Sequence, residues 1–393
     1  MAQRVEALVH PDLLVWARET AGLDAEVAAK KAGVKPERIA EWEAGQRRPT
    51  IKQLRALAWI YRRPIAVFYL PEVPEAEEMP KDFRRLPGQV AGVESSDLRF
   101  EIRKAGLRRE IALELSGLEG EEPEGIEASA SLDESPEEVG ARVRDLLGVH
   151  LTDQVGWRGP YDSFNGWRGA VEGAGALVFQ MTAVELSEAR GFSISESPLP
   201  TVVVNVKDSP RGRAFSLLHE FGHLMLRDGG LCDLDDVTER PPGELRVERF
   251  CNSVAGSALV PSEALFADQT VRAHPGGEVA WSDTELAAIA GRFGVSREVV
   301  LRRLLDFGRT NSDFYAQKRI EFLETYERLR QGRQGGFAPP AQMAFASAGP
   351  SFTGLVLSSY SEGRITASDV SDYLDVRLKH LPRIQQQLLG SAS

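Results

Sequence analysis

Residues Ser216–Leu226 read SLLHEFGHLML, and the HEFGH inside them, an instance of HExxH, decides how the chain around it is read. On an α-helix a spacing of four residues turns side chains about 40° apart, so His219 and His223 point the same way and their imidazoles can converge on one metal ion. Glu220 stands about 100° round from His219, too far to share its place as a ligand but within reach of an attacking water, and is the candidate general base. A chain of this length carries HExxH by accident about once in a hundred, so the flanks must decide. Leu217, Leu218, Phe221, Leu224, Met225 and Leu226 make the helix apolar almost all round, which places it in a core. Histidine and glutamate are costly there unless they are paired or hold a metal. Gly222 in mid-helix costs about 1 kcal/mol relative to alanine, which predicts close approach of a neighbouring element.

Zinc with one position left open needs a third protein ligand. Downstream, ERFCNSVAGSALVP (248–261) sets Glu248 and Asn252 four residues apart on one helix face among Phe250, Val254, Ala258 and Leu259. Glu248 is the expected third ligand. Asn252 is expected to orient one histidine by a hydrogen bond. One Zn²⁺ per chain is the expected cofactor, with Mn²⁺ a second divalent candidate. Cys251 reads either as a thiol beside the metal or as a small core residue. Tyr161, His274 and Arg211 each offer a group to stabilise an oxyanion, and the sequence does not choose among them.

The 393 residues are 42% hydrophobic and 27% charged, with no apolar run long enough to span a bilayer. The start lacks the apolar core of a signal peptide, and Cys232 and Cys251 are the only cysteines. Both features predict a cytoplasmic chain without a disulfide framework or a membrane partner. The net charge of −11 is uneven: Met1–Pro71 holds twelve Lys/Arg against eight Asp/Glu, a balance of +4 that leaves −15 for the rest. A basic head on an acidic body is compatible with DNA at the head only.

That head reads as helices from Pro11, from Asp24 as N-cap, from Lys35 and from Thr50, the last with a Thr50–Gln53 capping box. Ala28, Ala29, Val34, Ile39, Trp42, Ile51, Leu54, Leu57 and Ala58 form its expected core. EVAAKKAGVKPERIAEWEAGQRRPTIKQLRALAWIY resembles the helix-turn-helix of the XRE (Cro/C1-repressor-like) class. The resemblance implies that the third helix meets the DNA major groove, presenting Lys35, Glu37, Arg38 and Glu41, while Arg47, Arg48 and Lys52 meet phosphates.

PEVPEAEEMP (71–80) reads as an extended linker, Ser96 to Ser116 as a long helix and Leu118 to Ser135 as a mobile loop. Pro136–Leu147 is a helix, and ALVFQM, GFSIS and TVVVNV are short strands expected to form a small antiparallel sheet. An edge strand beside the motif helix could hold an extended peptide. After a polar loop from Arg227 to Gly243, ELAAIAGRFGVSREVVLRRL has the spacing of two more helices about a Gly-Val turn. A charged helix over 314–331, a flexible linker GRQGGFAPPAQ (332–342) and three short helices from about Phe352 complete the chain.

VVVNVKDSPRGRAFSLLHEFGHLML and ERFCNSVAGSALVP resemble the ImmA/IrrE family of metallopeptidases, with Cys251 and Phe250 departing from the family pattern at positions that are not ligands. The resemblance implies an α+β, mostly helical protein: a helix-turn-helix bundle over 1–71, a linker over 72–94, a zincin-like peptidase domain over 95–310 with a small antiparallel sheet, and a helical module over 311–393. It further implies a regulatory zinc endopeptidase acting on a specific protein, a transcriptional repressor being the expected substrate, in a chain that could pair as a homodimer. The competing reading is a DNA-binding regulator whose metal site senses or stabilises.

Overall fold

The computed structural model describes residues 6–74, 95–120, 125–157, 161–227, 242–274, 280–332 and 338–391, with positions 123, 159 and 231–232 besides. Most of the linker expected over 72–94 and most of the polar loop over 227–243 lie outside them. Residues 333–337 of the expected linker near the C-terminus do so too. The described chain separates into two compact units, one up to Lys104 and one from Ala105 onward. None of its helices is long and apolar enough to cross a membrane.

In the first unit α1 (Pro11–Thr20), α2 (Ala25–Ala32), α3 (Pro36–Glu43) and α4 (Ile51–Ile60) form close to where the sequence predicts them. The boundaries have local causes. Asp24 accepts the Val27 N–H at 2.7 Å, Gly33 takes the left-handed turn that ends α2, and Thr50 and Gln53 close a capping box. Ile39, Trp42, Leu54 and Leu57 bury their side chains around Ala28 and Ala29. A 3-10 turn over Ile65–Tyr69, unforeseen from the sequence, adds Phe68 to this core. α5 (Ser96–Glu119) contributes its residues up to Lys104 to the same unit.

In the second unit the rest of α5 comes first, and a stretch without regular secondary structure follows it. Ile126, Ala128, Ala130 and Leu132 pack on the core, and Ala130 N–H donates to Met225 O at 2.9 Å. Here the expected mobile loop is corrected: IEASASL alternates apolar and polar positions, but small alanines hide the period. α6 (Pro136–Leu146), α7 (Leu151–Gly156) and α8 (Asp162–Gly173) lead to β1 (Leu177–Met181), β2 (Gly191–Ile194) and β3 (Thr201–Asn205); α9 (Pro210–Leu226) is the motif helix, followed by β4 (Leu231–Cys232). The sheet order is β1-β3-β2-β4. β2 runs antiparallel to β3, as expected, and also to β4, which falls where a polar loop was expected, but β1 pairs parallel to β3 with Leu177 opposite Thr201. The sheet is therefore mixed rather than wholly antiparallel. Every residue of β1 and β3 is buried, the pattern of strands covered on both faces, where parallel pairing is common.

α10 (Pro242–Leu259) packs along α9 and α6. Gly222 permits the first of these contacts, because a Cβ there would lie 3.3 Å from Cys251 Sγ and 3.4 Å from its Cα. This is the close approach predicted for Gly222, and it makes Cys251 a buried packing residue against the motif helix. α11 (Ser262–Ala267), α12 (Gln269–Ala273), α13 (Asp283–Phe293) and α14 (Arg297–Asp306) follow. Leu286, Ile289, Val300 and Leu304 join the core that holds α9 and α10, so the second helix-turn-helix-like pair packs the central domain.

α15 (Ser312–Gly332) is the charged helix, and α16 (Pro340–Ala348), α17 (Pro350–Ser361), α18 (Ala367–Tyr373) and α19 (Leu381–Ser391) end the chain. α16 was not foreseen: PPAQ reads as linker, yet proline at the first helical position loses no hydrogen bond. α16 covers the outer edge of β1, where Ser347 Oγ donates to Gln180 O at 3.0 Å and Gln180 Nε2 donates to Ala346 O at 2.8 Å. Arg168 and Glu172 of α8, paired at 3.2 Å with side chains 5% and 4% exposed, reach the same region through Ala346 O and Ser351 Oγ. Glu172→Ala strands the buried guanidinium and should destabilise the protein by about 3–5 kcal/mol in urea unfolding; a change under about 1 kcal/mol would contradict this role.

Candidate metal centre

Ser209 accepts the Gly212 N–H at 3.0 Å to cap α9, Pro210 occupies its first turn, and every residue from Arg213 to Met225 is buried. The motif therefore lies in the core, as its flanks predict. His219 is 0% exposed, Glu220 1% and His223 4%. From α10, Glu248 enters the same pocket. His219 Nε2 and His223 Nε2 lie 3.2 Å apart, His219 Nε2 and Glu248 Oε2 3.4 Å, and His223 Nε2 and Glu248 Oε1 3.5 Å. Among the described residues this is the one cluster of histidine, cysteine, aspartate and glutamate with ligand atoms close enough to share an ion.

The triangle fits a metal. Ligands bound tetrahedrally at about 2.0–2.1 Å stand about 3.3–3.4 Å from one another, close to the three separations found here. Electrostatics agrees with geometry. Burial pushes the His219 imidazolium down, but the hydrogen bond and charge of Glu248, with the charge of Glu220, outweigh it and hold the ring above its ordinary value, while Arg302 pulls it down. The pocket draws positive charge, which a divalent cation would satisfy.

Glu220 does not belong to the triangle; it turns toward the sheet. A Cβ on Gly191 of β2 would lie 3.0 Å from Glu220 Oε1 and 3.0 Å from Val203 O, so only glycine leaves this carboxylate its place. Among the described residues β4 covers the outer side of β2 at Gly191 and Phe192 alone. Asn252 is buried one turn beyond Glu248. His219 Nδ1 has no hydrogen-bond partner among the described residues.

The contacts of the three oxyanion candidates do not choose among them. His274 stacks on Trp281 with centroids 3.9 Å apart, Arg211 reaches Val295 O at 3.4 Å, and Tyr161 lies beneath the Arg213 guanidinium at 5.5 Å. Sequence reasoning missed Gly191, since a glycine opening a strand carries no local signal of the carboxylate that the fold brings against it.

Residues 174–305 match the family model of the IrrE N-terminal-like domain, an M78 peptidase family. The central domain is IrrE N-terminal-like. The IrrE N-terminal-like span takes in the sheet strands β1 to β3, the motif helix, Glu248 and Arg302. Residues 14–68 match a helix-turn-helix family model. No curated protein matches the chain.

In front of the IrrE-like domain, the helix-turn-helix unit places Lys35 at the N-cap of α3 and Arg38 upon it; Lys35, Arg47, Arg48 and Lys52 are exposed and Arg38 half-buried. Glu41 pairs with Arg38 at 3.4 Å and with Arg47 at 3.6 Å, so one acid draws on two of the five basic candidates. Glu37, one residue before Arg38, is exposed. Glu41→Gln should raise affinity for mixed-sequence duplex DNA and steepen its salt dependence by about 1–2 in log–log slope, read by fluorescence anisotropy. An unchanged slope would mean that these arginines do not meet phosphates.

Proposed function

We propose that this chain is a regulatory metal-dependent endopeptidase that cuts a specific protein partner, a transcriptional repressor being the expected class, and that its helix-turn-helix head binds DNA. One observation carries the reading: Glu220, a buried carboxylate on the same helix as His219 and His223, stands beside the His219–His223–Glu248 triangle without belonging to it. A site that only sensed or stabilised would have no use for that carboxylate. Within this reading the domains divide at 1–71, 72–94, 95–310 and 311–393, and the protein works in the cytoplasm.

His219, His223 and Glu248 would hold the ion, Zn²⁺ by donor set or Mn²⁺ in its place, and when bound it supplies Lewis acidity that polarises the scissile carbonyl and acidifies a water. Glu220 takes the proton of that water as it attacks and returns it to the leaving amine. Burial of the motif helix keeps other water from the carboxylate. Gly191 holds β2 close against Glu220, which sets the carboxylate between helix and strand. Asn252 would orient one of the two histidines.

The test uses Glu220→Gln as a trap. Proteins from cells are captured on the variant, and the best candidate is purified and exposed to wild type with zinc and with chelator. Cleavage by zinc-loaded wild type alone supports the proposal. Failure of every captured protein to be cleaved would overturn it.

A further inference from the structure

From Ala214 to Met225 every residue of α9 is buried, and outside HEFGH the only polar side chain among them is that of Ser216. Ser216 is 2% exposed, and its Oγ has no hydrogen-bond partner among the described residues. A serine in mid-helix can turn its hydroxyl onto the carbonyl four residues back, and this one does not. A buried hydroxyl left without a partner costs about 1–3 kcal/mol, and alanine is the better helix former at such a place.

A second orphaned atom lies one turn on. His219 Nε2 faces His223 Nε2 and Glu248 Oε2, so the other ring nitrogen, Nδ1, points away from the triangle, and it too has no partner among the described residues. Ser216 is three residues before His219, a spacing that brings Cβ atoms within about 5–6 Å and leaves them about 60° apart round the helix. Helical side chains lean toward the N-terminus, which carries an imidazole over the turn before it. His219 does so: its ring stacks on that of Phe215 with centroids 6.4 Å apart and planes at 30°. The hydroxyl without an engagement and the nitrogen without an acceptor therefore share one turn of α9.

We propose that Ser216 is the positioning residue of His219: its Oγ accepts the Nδ1–H, directly or across one water, and so fixes the tautomer that leaves Nε2 bare for the ion. This rests on the metal-centre reading and deepens it. A histidine that binds a metal through one nitrogen needs an acceptor at the other, because the hydrogen bond there decides which nitrogen keeps a lone pair. Phe215 holds the plane of the ring, but an aromatic contact does not choose between its nitrogens. Ser216 makes that choice, and the same bond removes the cost of its own buried hydroxyl. No existing bond has to break when the side chain turns.

The test needs no substrate. Zinc affinity of the full chain is measured by competition with a chromophoric chelator, with the metal-free Tm alongside. Ser216→Ala should weaken zinc by about 10–100-fold while the metal-free Tm stays level or rises, since the hydroxyl has no partner to lose there. A serine that only packed would give the opposite pair, a lower Tm and an unchanged affinity. Ser216→Thr and Ser216→Val have nearly the same shape and differ by the hydroxyl, so the Thr variant should bind zinc the more tightly; this comparison decides if the Ala variant does not fold. In zinc-loaded wild type with isotope-labelled histidine, the Nδ1–H of His219, recognised by its proximity to Phe215, should exchange slowly with solvent. Ser216→Ala should speed that exchange and Asn252→Ala should not. Undiminished zinc affinity in the Ala variant, equal affinity in the Thr and Val variants, or a proton lost with Asn252→Ala alone overturns the inference and leaves the metal centre standing. Failure of both the Ala and Val variants to fold also overturns it, because Ser216 would then support the fold. If wild type itself takes up no zinc, the metal-centre reading falls and this inference falls with it.

Discussion

Glu220→Gln should lower peptide-bond cleavage by about 10²–10⁴-fold while leaving the metal bound, because the side chain loses its capacity to accept a proton but no ligand is removed. The separation follows from the structure: His219, His223 and Glu248 close the triangle among themselves, and Glu220 lies against Gly191 on the strand side. Gln has nearly the volume of Glu, so the core packing around position 220 should persist and thermal stability with metal should stay close to wild type. The check is a cleavage rate with the trapped partner alongside metal content by mass spectrometry. Retained cleavage would remove Glu220 from the chemistry, and lost metal would move it into the ligand set.

Glu248→Gln should weaken metal binding by more than about 100-fold, a larger loss than follows when only an outer partner of a ligand is removed. Glu248 is the candidate donor that the motif alone could not name. Its Oε2 is 3.4 Å from His219 and its Oε1 3.5 Å from His223, so the neutral amide loses the charge that draws a cation to both rings. In wild type, zinc should raise Tm by mass action, since metal binds the folded pocket and not a preformed site in the unfolded chain; in the variant the rise should shrink toward zero. An undiminished zinc-dependent rise in Glu248→Gln would place the third ligand elsewhere.

Much of this centre was legible because its information is local. HEFGH sets two candidate ligands and a candidate base on one helix by periodicity, and the four-residue spacing of Glu248 and Asn252 inside an apolar helix singles out a third candidate ligand without knowledge of the fold. The same holds for the head, where Asp24, Gly33 and Thr50 punctuate helices by their own backbone chemistry. What escaped depends on chain segments meeting. The partner of β1 is set by which strand lies between which, and nothing inside LVFQM says that TVVVN runs alongside it in parallel. Gly191 gains meaning only when β2 lies on Glu220. The alternation of Ile126, Ala128, Ala130 and Leu132 was hidden because two alanines carry too little hydrophobic contrast, and α16 because a proline pair reads as linker unless the helix start is seen.

X-ray absorption at the metal edge of the purified wild-type chain tests the ligand set directly. A peptidase centre built from His219, His223 and Glu248 predicts one ion per chain with nitrogen and oxygen neighbours at about 2.0–2.1 Å and the outer-ring signature of two imidazoles. A sulfur neighbour at about 2.3 Å, placing Cys251 or Cys232 on the ion, or a chain that retains no ion from a zinc-containing buffer, would contradict it.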